Sequence, residues 1–296
     1  MEQITLQSVS STRYRAIIMQ LFAAILWSFG GLLIKLVDLN PIAIAGWRSL
    51  IASFVIFPLL KKSAFKLTWN KAFGAISYTA MVFLYVSSMK ATTAANAILL
   101  QYTSPIYIAI FGGWILNEKA KLREWVTILF VVVGMVLFFM DDISGGGMKG
   151  NILAVFSGVA LGFNTMFMRR EKDADPLENV FWGSILTVIA SIPFIFEKAP
   201  TPRSWIGLIL LGVFQIGISY ILYARAIKHI TALESTFISL IEPLLNPVWV
   251  FLTIGEVPGK MAVIGGVIVL ASVTISCLKP KKRTLSQLVT KKFNAI

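Results

Sequence analysis

Within SLIEPLLNPVWVFL, residues 239–252, one acid, one amide and two prolines interrupt an otherwise apolar run. Ser235, Ser239, Glu242, Asn246 and Trp249 are spaced 4, 3, 4 and 3 residues apart, which places them on one helical face. A polar stripe in a lipid-compatible helix is expected to face a cavity or the interior of a bundle. Glu242 stands near the middle of the segment 231–254, where a charged carboxylate in a bilayer costs at least a few kcal/mol. It is expected to be protonated, paired or hydrated. Pro243 and Pro247 remove backbone donors and crowd preceding carbonyls, so a kink and freed carbonyls are expected beside the acid. This chemistry suits contact with a substrate or uptake of a proton. The competing role is a protonated carboxyl that only bonds a neighbouring helix.

Other residues of the same kind are scattered along the chain. Asn96, Gln101 and Ser104 share one segment, and Gln101 can both donate and accept. Tyr78 and Tyr85 share another, and Gln215, Ser219 and Tyr223 recur every fourth residue on a third. Trp27, Ser28 and Asn164 complete a set of aromatic and amide groups suited to a small amphipathic ligand. Taken singly, Trp27 and the tyrosines read as packing or interfacial anchors. Glu234 reads equally as a gate residue and as a first-turn acid favoured by the helix dipole. Glu118 and Glu256 end two segments, as gate contacts or as solvated acids. Arg48 is the one basic residue well inside a span. Seven residues of helix beyond Pro41 put it roughly 10 Å deep, where an ion-pair or gating role is expected ahead of a substrate contact.

The elements that must position these groups follow from composition. The chain has 296 residues, 57% hydrophobic and 14% charged, whereas soluble domains are nearer about 25% charged. Continuous apolar segments near the roughly 20 residues needed to cross a bilayer fall at about 15–37, 41–60, 70–89, 93–116, 122–140, 149–168, 178–197, 204–224, 231–254 and 259–278. Continuous runs argue against an outer-membrane barrel, whose strands alternate. Of the 27 Lys and Arg residues, 20 fall on the side of the termini and 6 on the other, with Arg48 inside a span. That asymmetry predicts a plasma (bacterial inner) membrane protein with both termini cytoplasmic. The net charge of +13 is then mainly a topology signal, with anionic-lipid contact by the tail and no nucleic-acid partner. One cysteine and one histidine, Cys277 and His229, leave no internal disulfide, no Cys-based or multi-histidine metal site and no cofactor expected. The polar first 15 residues carry no cleavage pattern, so no removable signal peptide is expected.

The chain repeats itself. A shift of 138 residues matches Gly74 with Gly212, Leu84–Tyr85 with Leu222–Tyr223, Lys90 with Lys228, Thr93–Ala94 with Thr231–Ala232, Pro105 with Pro243 and Glu118 with Glu256. A shift of 135 matches Pro41 with Pro176, Trp47 with Trp182, Ser49 with Ser184 and Pro58 with Pro193. The predicted fold is all-α: ten transmembrane helices as two five-helix repeats, inverted because five is odd. The expected division is a cytoplasmic tail 1–14, a first repeat 15–140, a hinge 141–148 containing SGGG, a second repeat 149–278 and a basic tail 279–296. Inverted repeats are typical of secondary transporters, with the substrate near the midplane between the halves.

The segments AAILWSFGGLLIK (23–35), P…WRSLIA (41–52), YTSPIYIAIFGGWILNE (102–118) and LIEPLLNPVWVFLTIGE (240–256) carry a more specific signal. In order and duplication they resemble the drug/metabolite transporter superfamily, EamA type. The resemblance covers about residues 16–278. It implies ten helices, a central cavity lined mainly by helices 1, 3, 4, 6, 8 and 9, and export of small metabolites, amino acids among them. The expected function is secondary active export of a small amphipathic metabolite by alternating access, by a monomer or weak homo-oligomer. The alternatives are an uncoupled facilitator or exchanger, an importer and, remotely, an intramembrane carboxylate enzyme. No phosphate-loop motif is present, so no ATP coupling is expected within the chain.

Overall fold

The computed structural model describes residues 2–60, 66, 68–92, 94–138, 140, 147–245, 249 and 260–278. Most of the 141–148 hinge, Asn246, Glu256 and the 279–296 tail lie outside these. Among the described residues the regular structure is helical throughout. The helices are α1 (Glu2–Ser28), α2 (Gly30–Leu36), α3 (Pro41–Ile56), α4 (Trp69–Ala91), α5 (Ala94–Gln101), α6 (Ser104–Ile115) and α7 (Leu122–Phe138). Then come α8 (Met148–Arg170), α9 (Leu177–Ile195), α10 (Pro202–Leu210), a π segment (Leu211–Ile218), α11 (Ser219–Ala226), α12 (Ala232–Ser239) and α13 (Lys260–Leu278). Residues 241–245 are helical again after a turn at Leu240. Among the described residues, seven stretches are long and apolar enough to cross a membrane: 11–36, 41–59, 69–91, 96–115, 148–170, 177–195 and 202–226.

Helix starts obey local chemistry. The Asn40 side chain accepts from Ile42 N ahead of Pro41, and Thr68 and Thr201 cap α4 and α10 in the same way. Thr231 and Glu234 form a capping box at α12, satisfying two otherwise orphaned backbone donors. The polar start of the chain is helical and runs on into the first span as α1.

Three predicted single helices are broken. The first breaks at Phe29, before Gly30 and Gly31; a Cβ on Gly30 would stand 2.9 Å from Gln215 Nε2, so a side chain from another helix occupies the space. The fourth breaks at Tyr102–Thr103, just before Pro105, and the ninth at Leu240, just before Pro243. The eighth is wound as a π segment over Leu211–Ile218.

The packing pairs elements across the two halves: α4 with α8, α3 with α9, α7 with α13, α4 with α9, α3 with the π segment, and α1 with α11. Lys90 Nζ donates to Val37 O at 2.8 Å, and Lys228 Nζ donates to Ala174 O at 2.8 Å, the same contact made once in each half. Close approach explains one asymmetry. Gly183, the counterpart of Arg48, packs on the Tyr78 ring so tightly that a Cβ there would lie 2.5 Å from Tyr78 Cδ1.

One end of α4 is tied to α9 by the ion pair of Lys71 with Glu178, both almost wholly buried; Lys71 also donates to Lys66 O at 2.9 Å. Breaking a buried pair leaves an uncompensated charge at a cost of about 3–5 kcal/mol. Glu178→Ala should therefore lower the thermal midpoint of the detergent-purified protein far more than Glu197→Ala, whose carboxylate sits in an exposed contact with Asn40.

Candidate functional site

The central cavity is built where the helix breaks meet. In this conformation it encloses about 70 Å³, small beside the roughly 300–1,000 Å³ common for small-molecule sites. Trp27 of α1, Arg48 of α3, Tyr78 and Tyr85 of α4, and Gln101 and Tyr102 at the end of α5 line it. Thr165 of α8, Gln215 and Tyr220 from the π segment and α11, Tyr223, and Thr236, Ser239 and Glu242 complete the polar lining.

An aromatic cluster forms one wall. Trp27 meets Tyr220 and Tyr223 edge-on, each with ring centroids 5.2 Å apart, and Tyr78 meets Tyr220 at 5.5 Å. These edge-to-face contacts hold the rings rigid. The Tyr223 hydroxyl donates to Thr165 Oγ1 at 3.1 Å.

The acid is anchored by the break in the other half. Tyr102 OH donates to Glu242 Oε2 at 2.6 Å and also lies 2.9 Å from Ser239 O, a carbonyl freed at the Leu240 break. Tyr102 stands 138 residues before Leu240, so the two breaks meet through this tyrosine. The π segment does the same for the cation: Arg48 Nη1 donates to Gln215 Oε1 at 3.3 Å, while Arg48 Nε has no hydrogen-bond partner. π segments commonly re-aim side chains at functional sites. Among the described residues neither Arg48 nor Glu242 has an ion-pair partner. The cavity thus presents one carboxyl and one guanidinium, and tyrosines share its walls with both. Arg48, expected as an ion-pair or gating residue ahead of a substrate contact, lines the cavity.

The structure gathers Trp27, Arg48, Tyr78, Tyr85, Gln101, Gln215, Tyr223, Ser239 and Glu242 around this space. Other candidates sit elsewhere. Ser28 accepts from Trp249 Nε1 at 2.8 Å and ties the ninth helix to α1. Asn96 donates to Thr92 Oγ1 at 3.4 Å, Asn164 is buried against Met168, and Ser219 bonds its own helix at Gln215 O. Ser104, the counterpart of Glu242, is buried with its hydroxyl unpartnered. Two candidate gate acids lie at one end of the bundle: Glu234 pairs with Arg13 at 3.2 Å, and Glu118 pairs with Arg169 at 2.9 Å while accepting from Ala232 N at 3.3 Å. Arg169 also donates to Ile227 O and Lys228 O, pinning the turn that precedes α12. At other loops, Lys198 lies 2.5 Å from Asp38 and its hydrogen bond holds that carboxyl below the ordinary range.

Tyr102 and Tyr220 were not among the residues expected to line a site. Tyr102 falls at a helix break, and its neighbouring TSP was the available signal. Tyr220 lies one residue after Ser219 on a helix whose face is turned by the π winding.

A model of the EamA-like transporter family matches residues 14–140 and again 148–278. The chain is 24% identical over 272 residues to an uncharacterized transporter, YdfC, of Bacillus subtilis (strain 168), covering 87% of this chain and 89% of that one. It is also 24% identical over 246 residues to the pseudopaline exporter CntI of Pseudomonas aeruginosa, covering 79% and 85%. One crystal structure shares its fold with a TM-score of 0.77 over 90% of this chain and 98% of the other, at 18% identity. The two tandem matches take in nearly the whole apolar region, so this multi-pass membrane protein belongs to the EamA-like transporter family of the drug/metabolite transporter superfamily and is a transporter, not an enzyme.

Proposed function

We propose that the protein is a secondary transporter that exports a small amphipathic metabolite bearing both a carboxylate and an amine, an amino acid or close relative, from the cytoplasm. The observation that carries this is the unpaired Arg48 and Glu242 on one tyrosine-lined cavity. A guanidinium presents a planar donor fork that matches a carboxylate, and a carboxylate accepts from an ammonium. An apolar side chain would lie among Trp27, Tyr220 and Tyr223. The exporter named for pseudopaline among its relatives favours the outward direction.

Alternating access by two inverted five-helix repeats is supported by the paired breaks at Tyr102 and Leu240, the twin Lys90 and Lys228 contacts, and the element pairing across the halves. The proposed ten crossings add α7, the α12 segment and α13 to the seven long stretches found among the described residues. The excess of Lys and Arg on one side supports cytoplasmic termini in the plasma membrane. The acting unit on this reading is a monomer or weak homo-oligomer whose partners are substrate and bilayer.

The test is efflux profiling. Cells expressing the wild type and cells carrying an empty vector are compared for extracellular metabolites over time. Accumulation of one or a few amino-group-bearing carboxylates is the expected result, followed by counterflow of that compound in proteoliposomes. Selective accumulation of compounds lacking either charge contradicts the proposed substrate class. Preferential uptake contradicts the direction.

A further inference from the structure

A second cavity of about 450 Å³ lies away from the transport site, between α1 around Arg15, the start of α9 and the end of α11. Arg15, Arg225, Lys228 and His229 line it, with a single carboxylate, Asp175. That carboxylate accepts from Leu177 N at 3.2 Å at the start of α9, and Lys228 spends one donor on Ala174 O. Arg15, Arg225 and His229 are exposed, and among the described residues neither arginine has an ion-pair partner. Three cations against one acid leave a surplus of positive charge. Apart from Thr12 the remaining lining is apolar, with Met19, Leu59 and Ile221 in it, and Leu59 is 45% exposed.

This combination is unlike the central cavity, whose one cation and one acid suit a zwitterion. A cationic rim beside a partly exposed apolar wall suits a phosphate ester carrying hydrocarbon. Basic pockets between membrane helices bind anionic headgroups by this chemistry, each Lys or Arg near the surface contributing about 1 kcal/mol. We propose that this cavity binds a phosphate ester, with an anionic phospholipid as the source that its apolar wall fits. The arginines hold the phosphate, and the first acyl carbons lie along Met19, Leu59 and Ile221. A free phosphate monoester would use the arginines without the wall.

Native mass spectrometry of the full-length protein released from neutral detergent separates the cases. The probes are dioleoyl phosphatidylglycerol, dioleoyl phosphatidylcholine and glycerol 3-phosphate. Retention of phosphatidylglycerol over phosphatidylcholine is expected, falling roughly tenfold or more in the double variant Arg15→Gln/Arg225→Gln. The double variant Arg15→Lys/Arg225→Lys keeps the charge and should keep most of the binding. Lys35→Gln/Arg203→Gln removes two exposed charges from the end of α2 and the start of α10 and serves as the control for net charge. Equal retention of the two lipids overturns the proposal, as does equal loss in the site and control variants. Failure of glycerol 3-phosphate to displace the lipid supports the lipid assignment. Displacement at equal concentration overturns that assignment and leaves a site for free phosphate esters.

Discussion

Glu242→Gln is expected to uncouple transport from a transmembrane proton gradient. The substitution keeps the shape of the side chain and can still accept from Tyr102, which reaches Glu242 Oε2 at 2.6 Å. It cannot take up or release a proton. With acid outside, a coupled exporter exchanges an incoming proton for an outgoing substrate, so the wild type should run faster as the gradient steepens. The variant should give the same rate with and without the gradient. Loss of a hydrogen bond between the carboxylate and the substrate ammonium should also weaken transport about 10- to 100-fold, as charged hydrogen bonds contribute about 1.5–3 kcal/mol. Counterflow in proteoliposomes at matched protein density measures both effects. A variant that keeps the wild-type rate and its gradient dependence reduces Glu242 to a packing residue. A gradient-independent wild type would instead identify a facilitator or exchanger.

The second large effect belongs to Arg48. Its guanidinium is buried, bonded to Gln215, and retains an unpartnered Nε. If it receives the substrate carboxylate, Arg48→Gln should raise the KM for the carboxylate form by about 10- to 100-fold. It should barely change the KM for the corresponding amide, which the wild type is expected to accept poorly. Arg48→Lys should recover part of the loss, since a lysine keeps the charge but not the fork. The comparison of acid with amide matters because a purely structural arginine would lower transport of both equally. That equal loss would assign Arg48 to holding the π segment through Gln215.

Much of this protein was determined by its sequence alone. Apolar runs of bilayer length force helices, because a backbone in lipid must satisfy its own hydrogen bonds. The duplicated motifs carried the family, and the stripe through Ser239 and Glu242 marked a cavity because an acid inside a span needs polar company. Tertiary structure decided which candidates meet. Asn96, Asn164 and Ser28 have the same residue types as the cavity residues, yet they bond Thr92, Met168 and Trp249 instead. Periodicity assumes an unbroken helix, and here the turn at Tyr102–Thr103 and the π winding at Leu211–Ile218 rotate the faces that follow. The exchange of Arg48 for Gly183 has a similar cause. Only packing shows that the Tyr78 ring occupies the space a side chain at 183 would need, leaving a single guanidinium for a cavity shared by both halves. Helix formation is a local property of the chain, whereas the place where helices break and what fills the gap depend on side chains more than a hundred residues away.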